Sequence, residues 1–411
     1  MSKIKISVII PIYNVEEFIE DTLDCILNQT IVDDIEVLMI NDGSNDSSKL
    51  IIEEYDEKYE NFHAFTKKNE GQGIARNYGL EKAQGEYIHF MDSDDYITPN
   101  AYELLYDHAS RNANDITVCD VLRFSRYHIF ENTLFSHAFK NVNENIESTD
   151  LNEFNQLIWD TAIWNKLYKR EFLQKNNIRF INDKIFYEDL LFALNASIKA
   201  KSIGMVNDVL YYWRFRNTQN SVTQKFSDLK NFRDRLTILN LSEKMIKEFE
   251  VGSNISTPLY LKWLNHDLIL HFSKINEYPQ ENQRELIHET AKILNFIPDE
   301  LFNEISPFKK ELYSIIRSED NDALNKYVAC HNQEDCNEKG IGFRENLDLD
   351  ELVFEVKDIS KSESSLLIKF QKKPIPITTI IQIILLQDLL AHQANTILKY
   401  PTIQSSFLLI C

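Results

Sequence analysis

The chain has 411 residues, too many for one ordinary core, so two or three domains are expected. Hydrophobic residues make up 43% and charged residues 26%, which is the composition of globular protein rather than of disorder. The net charge is −20, and no run of Lys or Arg could follow a phosphate backbone, which excludes nucleic acid as a partner. A phosphate-bearing substrate of so acidic a chain would need a metal ion or a local arginine.

The N-terminus "MSKIKISVIIPIYN" has an apolar stretch too short for a signal peptide and no cleavage site, so it reads as a strand. "IKISVIIPIY" (4–13) and "IEVLMIND" (35–42) are near-continuous apolar runs, as in strands buried on both faces of a parallel sheet. Between them, "VEEFIEDTLDCILNQT" puts Phe18, Ile19, Leu23, Ile26 and Leu27 on one helical face. A second helical pattern follows "GSND", a third covers roughly 73–84, and "EYIHFMD" (86–92) is a further strand. This alternation predicts a doubly wound, Rossmann-like α/β sheet.

Residues 98–223 mix helices with strands such as "ITVCDVLRF" (116–124) and "GMVNDVLYYW" (204–213). The pattern from 224 to about 330 is mainly helical, and "ELVFEVKDISKSESSLLIKFQ" (351–371) reads as two strands joined by a polar turn. Residues 374–411 carry only Asp388 and Lys399 as charged groups. They fit a buried or membrane-surface helix, or a tail outside the native fold. The expected division is therefore 1–223, 224–335 and 336–411. No apolar run reaches the length of a membrane span. Cys25, Cys119, Cys330, Cys336 and Cys411 are odd in number and scattered, which favours a reducing cytoplasm over a disulfide framework. "CHNQEDC" (330–336), with His331, lacks the second ligand pair of a structural zinc site.

Ligands of open α/β sheets bind beyond the carboxyl ends of the strands. Asn14, Asp42 and Asp92 stand at three such ends, although Asn14 or Asp42 could equally cap the next helix. "NEGQGIARNYGL" (69–80) offers Gly71 and Gly73 at a helix entry, followed by Arg76, where an anion would be favoured. "HFMDSDDY" (89–96) crowds Asp92, Asp94 and Asp95 together. These acids form either a solvated turn or a site for a divalent cation that a substrate's phosphates complete. In "FYEDLLFAL" (186–194), Glu188 and Asp189 either favour a helix N-terminus or supply a general base.

In chain order, "SVIIPIYN", "INDGSNDSS", "NEGQGIARNYGL", "GEYIHFMDSDDY", "WNKLYKREFL", "YEDLLF" and "YYWRFRNTQNSVT" resemble the inverting family 2 glycosyltransferases over about residues 4–223. The resemblance implies a GT-A fold and a nucleotide-sugar donor, most often a UDP-sugar. It assigns Pro11, Tyr13 and Asp42 to the uridine pocket, and Asn14, Asn69, Gly73 and Arg76 to the nucleotide side. Asp92 would lie near the ribose and diphosphate, and Asp94, with Asp92, would hold Mg2+ or Mn2+. Asp189 would be the base with Glu188 beside it, while Arg214, Arg216 and Ser221 would fall in a segment closing over the diphosphate.

Two features depart from part of the family. The "QxxRW" segment and membrane spans of processive synthases are absent, which argues against a cellulose- or hyaluronan-type enzyme. The region after 223 is loosely similar to accessory regions of bacterial wall-polymer glycosyltransferases, which bind polymer or assemble subunits. The resemblance thus implies an enzyme of bacterial or archaeal type with a glycan or polyol-phosphate acceptor. It leaves room for peripheral association with the inner face of the membrane and for a homo-oligomer through the C-terminal region. Two rivals are a nucleotidyltransferase, which would leave Asp189 without a role, and an inactive sugar-polymer binding protein. The second is disfavoured because Asp94 and Asp189 are both intact.

Overall fold

A computed structural model describes residues 4–124, 128–132, 136–140, 142–215, 228–331, 350–362 and 365–370. The two apolar runs form β1 (Ile6–Ile12) and β2 (Ile35–Asn41), and every residue of both is buried. They pair in parallel, with Ile10 opposite Met39. β3 (Phe62–Thr66) extends the sheet beyond β2, and β4 (Tyr87–Phe90) lies parallel to β1 on its other side. The crossovers are α1 (Ile19–Leu27), α2 (Ser48–Lys58) and α3 (Gln72–Lys82). α1 buries Ile19, Leu23 and Ile26, as its spacing predicts.

The second half of the sheet is mixed; over residues 98–223 the sequence pattern predicts helices and strands without their directions. Next along the chain come β5 (Tyr96–Ile97), α4 (Ala101–Asn112), β6 (Ile116–Phe124), β7 (His128–Asn132) and β8 (Ile146–Thr149). They are followed by β9 (Lys166–Lys169), α5 (Arg170–Lys175), α6 (Glu188–Lys199) and β10 (Ile203–Arg214). β9 inserts antiparallel between β4 and β6. β10 runs parallel to β6 and antiparallel to the two-residue β5. This last pairing brings the end of β10 against the turn that follows β4, and so builds one wall of the site.

α7 (Leu229–Glu248), α8 (Ser253–Lys262), α9 (Ile269–Phe272), α10 (Gln280–Leu294), α11 (Pro307–Arg317) and α12 (Asn321–His331) form the helical region. Two of these helices start with capping chemistry: Asp228 accepts from the Lys230 N–H, and Ser306 precedes Pro307 at the first position of α11. Apolar packing is continuous from Ile6 on β1 to Val328 on α12. β11 (Asp350–Ser362) and β12 (Ser365–Phe370) form the hairpin expected from the sequence. β11 also pairs antiparallel with β7, which joins it to the edge of the main sheet. Among the described residues, no helix is long and apolar enough to cross a membrane.

α3 can lie on β1 because Gly79 has no side chain. A Cβ there would stand 2.5 Å from Cγ2 of Ile9. Ile9 is fully buried and has little room to yield. Gly79→Ala is therefore expected to lower the unfolding free energy by about 1–3 kcal/mol. Urea denaturation, read as a lower midpoint at unchanged slope, checks this.

Candidate active site

The buried Pro11 precedes Ile12, the last residue of β1, after which the chain reaches the surface at Tyr13, 45% exposed. Asn14 adopts a left-handed φ of 52° and clips the loop after β2. Its Oδ1 accepts from the Asn45 N–H at 2.8 Å, and its own N–H donates to Ser44 Oγ at 3.1 Å. Asp42, buried at the end of β2, accepts at Oδ1 from Lys67 Nζ (2.8 Å) and the Glu70 N–H (3.0 Å). Its Oδ2 accepts from the Gly71 N–H at 2.8 Å. One carboxylate thus shapes the whole 67–71 loop. Asn69, in that loop, accepts from Lys184 Nζ.

Arg76 is 2% exposed and does not face solvent. One of its Nη atoms donates to Glu188 Oε1 at 2.6 Å, and the other donates to Asp92 Oδ1 at 2.9 Å. The end of β4 is thereby joined to the start of α6. A buried guanidinium is tolerable because each end meets a carboxylate. Gly73, one turn earlier, has a different reason from backbone approach to a ligand. A Cβ there would meet Glu188 Cγ at 2.9 Å, so the glycine makes room for Glu188 itself.

The three acids of the DSDD turn, alike in sequence, have three different environments. Asp95 is fully buried and accepts from the Tyr211 hydroxyl (2.6 Å) and the Arg214 N–H (2.8 Å). Burial first, then the charges of Asp94 and Asp92, pushes its carboxyl well above the usual range. Asp92 is also pushed up, by burial, with Arg76 opposing and Asp94 reinforcing. Asp94 remains partly exposed. Its main-chain carbonyl accepts from Arg214 Nε at 2.6 Å, and Arg214 also pairs with Asp21 Oδ2 at 3.1 Å. Arg214 therefore fixes the turn from below. Two arginines already relieve much of the repulsion among these acids.

α6 begins at Tyr187, whose φ of 66° is left-handed. Such a conformation costs a residue other than glycine about 1–3 kcal/mol, so surrounding contacts must hold it. Glu188 is 6% exposed, and burial lifts its carboxyl to about 7 despite the opposing Arg76, with Asp189 adding to the lift. Asp189 is partly exposed, and its Oδ1 accepts from the Leu190 N–H at 2.9 Å.

The fold thus gathers Gly73, Arg76, Asp92, Asp94, Glu188, Asp189 and Arg214 around one end of the sheet, with Pro11, Tyr13, Asn14, Asp42 and Asn69 on its β1–β2 side. Ser221 and Arg216 lie outside the described residues. So does most of "CHNQEDC", of which Cys330 and His331 close α12. Among the described residues, no group of three His, Cys, Asp or Glu could hold a metal unaided. Sequence reasoning missed Asp21, Lys67 and Tyr211. Asp21 did leave a signal, being an acid among Ile19, Thr22, Leu23, Cys25 and Ile26 on the buried side of α1.

This sheet, with its acidic turn and strand-end carboxylates, is that of a GT-A glycosyltransferase. The sequence matches the family described as Glycosyl transferase family 2 over residues 7–176. The chain is 34% identical over 221 residues to the uncharacterized glycosyltransferase EpsJ of Bacillus subtilis (strain 168), covering 53% of this chain and 63% of that one. It is 29% identical over 329 residues to the poly(ribitol-phosphate) beta-glucosyltransferase of Bacillus spizizenii, covering 79% of this chain and 50% of that one. The chain thus spans only half to two thirds of the length of these two relatives. A crystal structure of S. aureus TarS 1–349 with UDP-GlcNAc shares the fold at a TM-score of 0.64 and 21% identity, covering 90% of this chain and 98% of that one. The protein belongs to glycosyltransferase family 2.

Glu188 makes a pH prediction. An unfolded Glu loses its proton near 4.5, whereas the folded one keeps it to about 7. The stabilisation is full below 4.5 and is lost as pH rises through about 7. Glu188→Gln keeps a neutral partner for Arg76, so its melting temperature should fall less than wild type between pH 5 and 7.5. Thermal melts across that range measure the difference.

Proposed function

We propose that this chain transfers a single sugar, with inversion, from a UDP-sugar to a hydroxyl of a cell-surface glycan or teichoic-acid-like polymer. It would work in the cytoplasm at the inner face of the membrane. The observation that carries the reading is the Arg76 bridge, which sets Asp92 and the Glu188–Asp189 pair at one site. Family membership supports sugar transfer. The UDP-GlcNAc held by TarS, whose fold the chain shares, supports a UDP-sugar donor. The name of the poly(ribitol-phosphate) beta-glucosyltransferase supports a polyol-phosphate acceptor and a β linkage, which inversion of an α-linked donor would give.

In this reading the exposed ring of Tyr13 packs on the uracil beside Pro11. Asp42, already shaping the 67–71 loop, meets the base with its remaining lone pair on Oδ2, and Asn14 and Asn69 hold the rim. Asp94, with Asp92, fits Mg2+ or Mn2+: Arg76 occupies one oxygen of Asp92, and Asp94 is partly exposed at the turn. One or two carboxylates are what such an ion takes when a diphosphate and water complete its shell. When bound, the ion neutralises charge developing on the leaving diphosphate. Asp189 accepts the proton of the acceptor hydroxyl as its oxygen attacks the anomeric carbon opposite the departing UDP. Glu188 keeps Arg76 in place and does not meet the acceptor.

Asp94→Asn should remove the thermal stabilisation that UDP with Mn2+ confers on wild type. A variant stabilised as much as wild type would sink the metal assignment. Asp189→Asn should lower kcat by about 10²–10⁴ while the donor KM barely moves. Steady-state assays over a panel of UDP-sugars measure both constants, and lost donor binding with kcat kept would move Asp189 to the donor side.

A further inference from the structure

The segment leading into α6 is held from outside the matched motifs. α7 turns one stripe toward it: Asn231, Asp234, Arg235 and Ile238, spaced as successive turns of a single helix face. Asp234 Oδ2 accepts from the Phe186 N–H at 2.9 Å. Asn231 Oδ1 accepts from the Tyr187 hydroxyl. The Arg235 guanidinium lies 3.5 Å from the centre of the Tyr187 ring, and Ile238 packs with Tyr187 and Leu190. Lys230 Nζ, from the same helix, reaches the Lys184 carbonyl at 3.1 Å.

Arg235 is itself anchored. It pairs with Asp267 Oδ1 at 2.9 Å, while Lys262 Nζ takes Asp267 Oδ2 at 2.8 Å, and all three residues are buried. A buried ionic triad is a poor source of stability compared with apolar packing. It does fix the guanidinium in one place, over one ring. That ring belongs to the residue whose left-handed backbone directs Glu188 and Asp189.

We propose that α7 is part of the active site, with Asn231, Asp234 and Arg235 as positioning residues that hold the Tyr187 elbow and thereby aim Asp189 at the acceptor. This rests on Asp189 as the base. The helical region then sets the rate of transfer and leaves donor affinity to the sheet.

Asp234→Ala and Asp234→Asn in the full chain test it, with Tyr187→Phe as a milder variant that keeps the ring. The probe is UDP release from whichever of UDP-glucose, UDP-galactose or UDP-N-acetylglucosamine most stabilises wild type with Mn2+. Asp234→Ala is expected to speed amide exchange in residues 183–190 but not in 89–97. It should lower kcat about 10–100-fold with donor KM little changed, the usual cost of a small misplacement. Asp234→Asn, whose Oδ1 still accepts the Phe186 N–H, should recover most of the rate, and Tyr187→Phe should show a smaller loss of the same kind. Exchange that rises at 183–190 with kcat unchanged overturns the proposal. So does exchange that is unaltered, or that rises everywhere while kcat follows the folded fraction. Asp189→Asn in the same assay separates the two readings. If it retains kcat, the base assignment falls and this inference with it. If it loses kcat while Asp234→Ala does not, only the role of α7 falls.

Discussion

The site depends on one buried cation. Arg76 touches both acidic elements, its two Nη atoms divided between Asp92 and Glu188. Without it, both carboxylates would lie largely buried beside further acids, Asp94 and Asp189. Removing one member of such a buried pair typically costs about 3–5 kcal/mol, because the partner's charge is left uncompensated. The sheet supplies the surroundings that make the arrangement hold. β1 and β4 carry the strand ends, Gly79 lets α3 lie close to β1, and Gly73 makes space for Glu188. The geometry of the candidate site and the stability of the α3–α6 contact therefore rest on the same interaction.

Arg214 does the corresponding work for the acidic turn. Its main chain binds the buried Asp95, its side chain holds the Asp94 carbonyl, and it reaches Asp21 on α1. It does so because β10 pairs with the two-residue β5 just after the turn. Arg214 thus organises the turn from within the protein.

The legible parts of the sequence were those with a short-range signature. β1 and β2 show as unbroken apolar runs, α1 as a helical stripe, and the acidic turn as a local cluster. β3 was missed because "FHAFT" is short and only its first residue is fully buried. The different environments of Asp92, Asp94 and Asp95 left no local sign because they come from partners far along the chain. Tyr211 is 116 residues from Asp95, and Arg76 is 112 from Glu188. The mixed half of the sheet was hidden for a related reason, since strand direction is set by pairing rather than by composition. α7 carries no motif at all, only an ordinary-looking helical pattern whose polar positions turn out to face a tyrosine ring and a backbone amide.

The family match ends at residue 176, but the apolar cluster begun at Ile6 continues without a break to Val328. Recombination between relatives at the edge of the matched segment would therefore cut through a single packed interior. A chimera joined there would set a foreign α6 against Arg76 and a foreign β10 against Asp95 and the Asp94 carbonyl. Sequence change across this junction is more easily accommodated by coordinated substitution on both sides of those contacts than by exchanging whole modules.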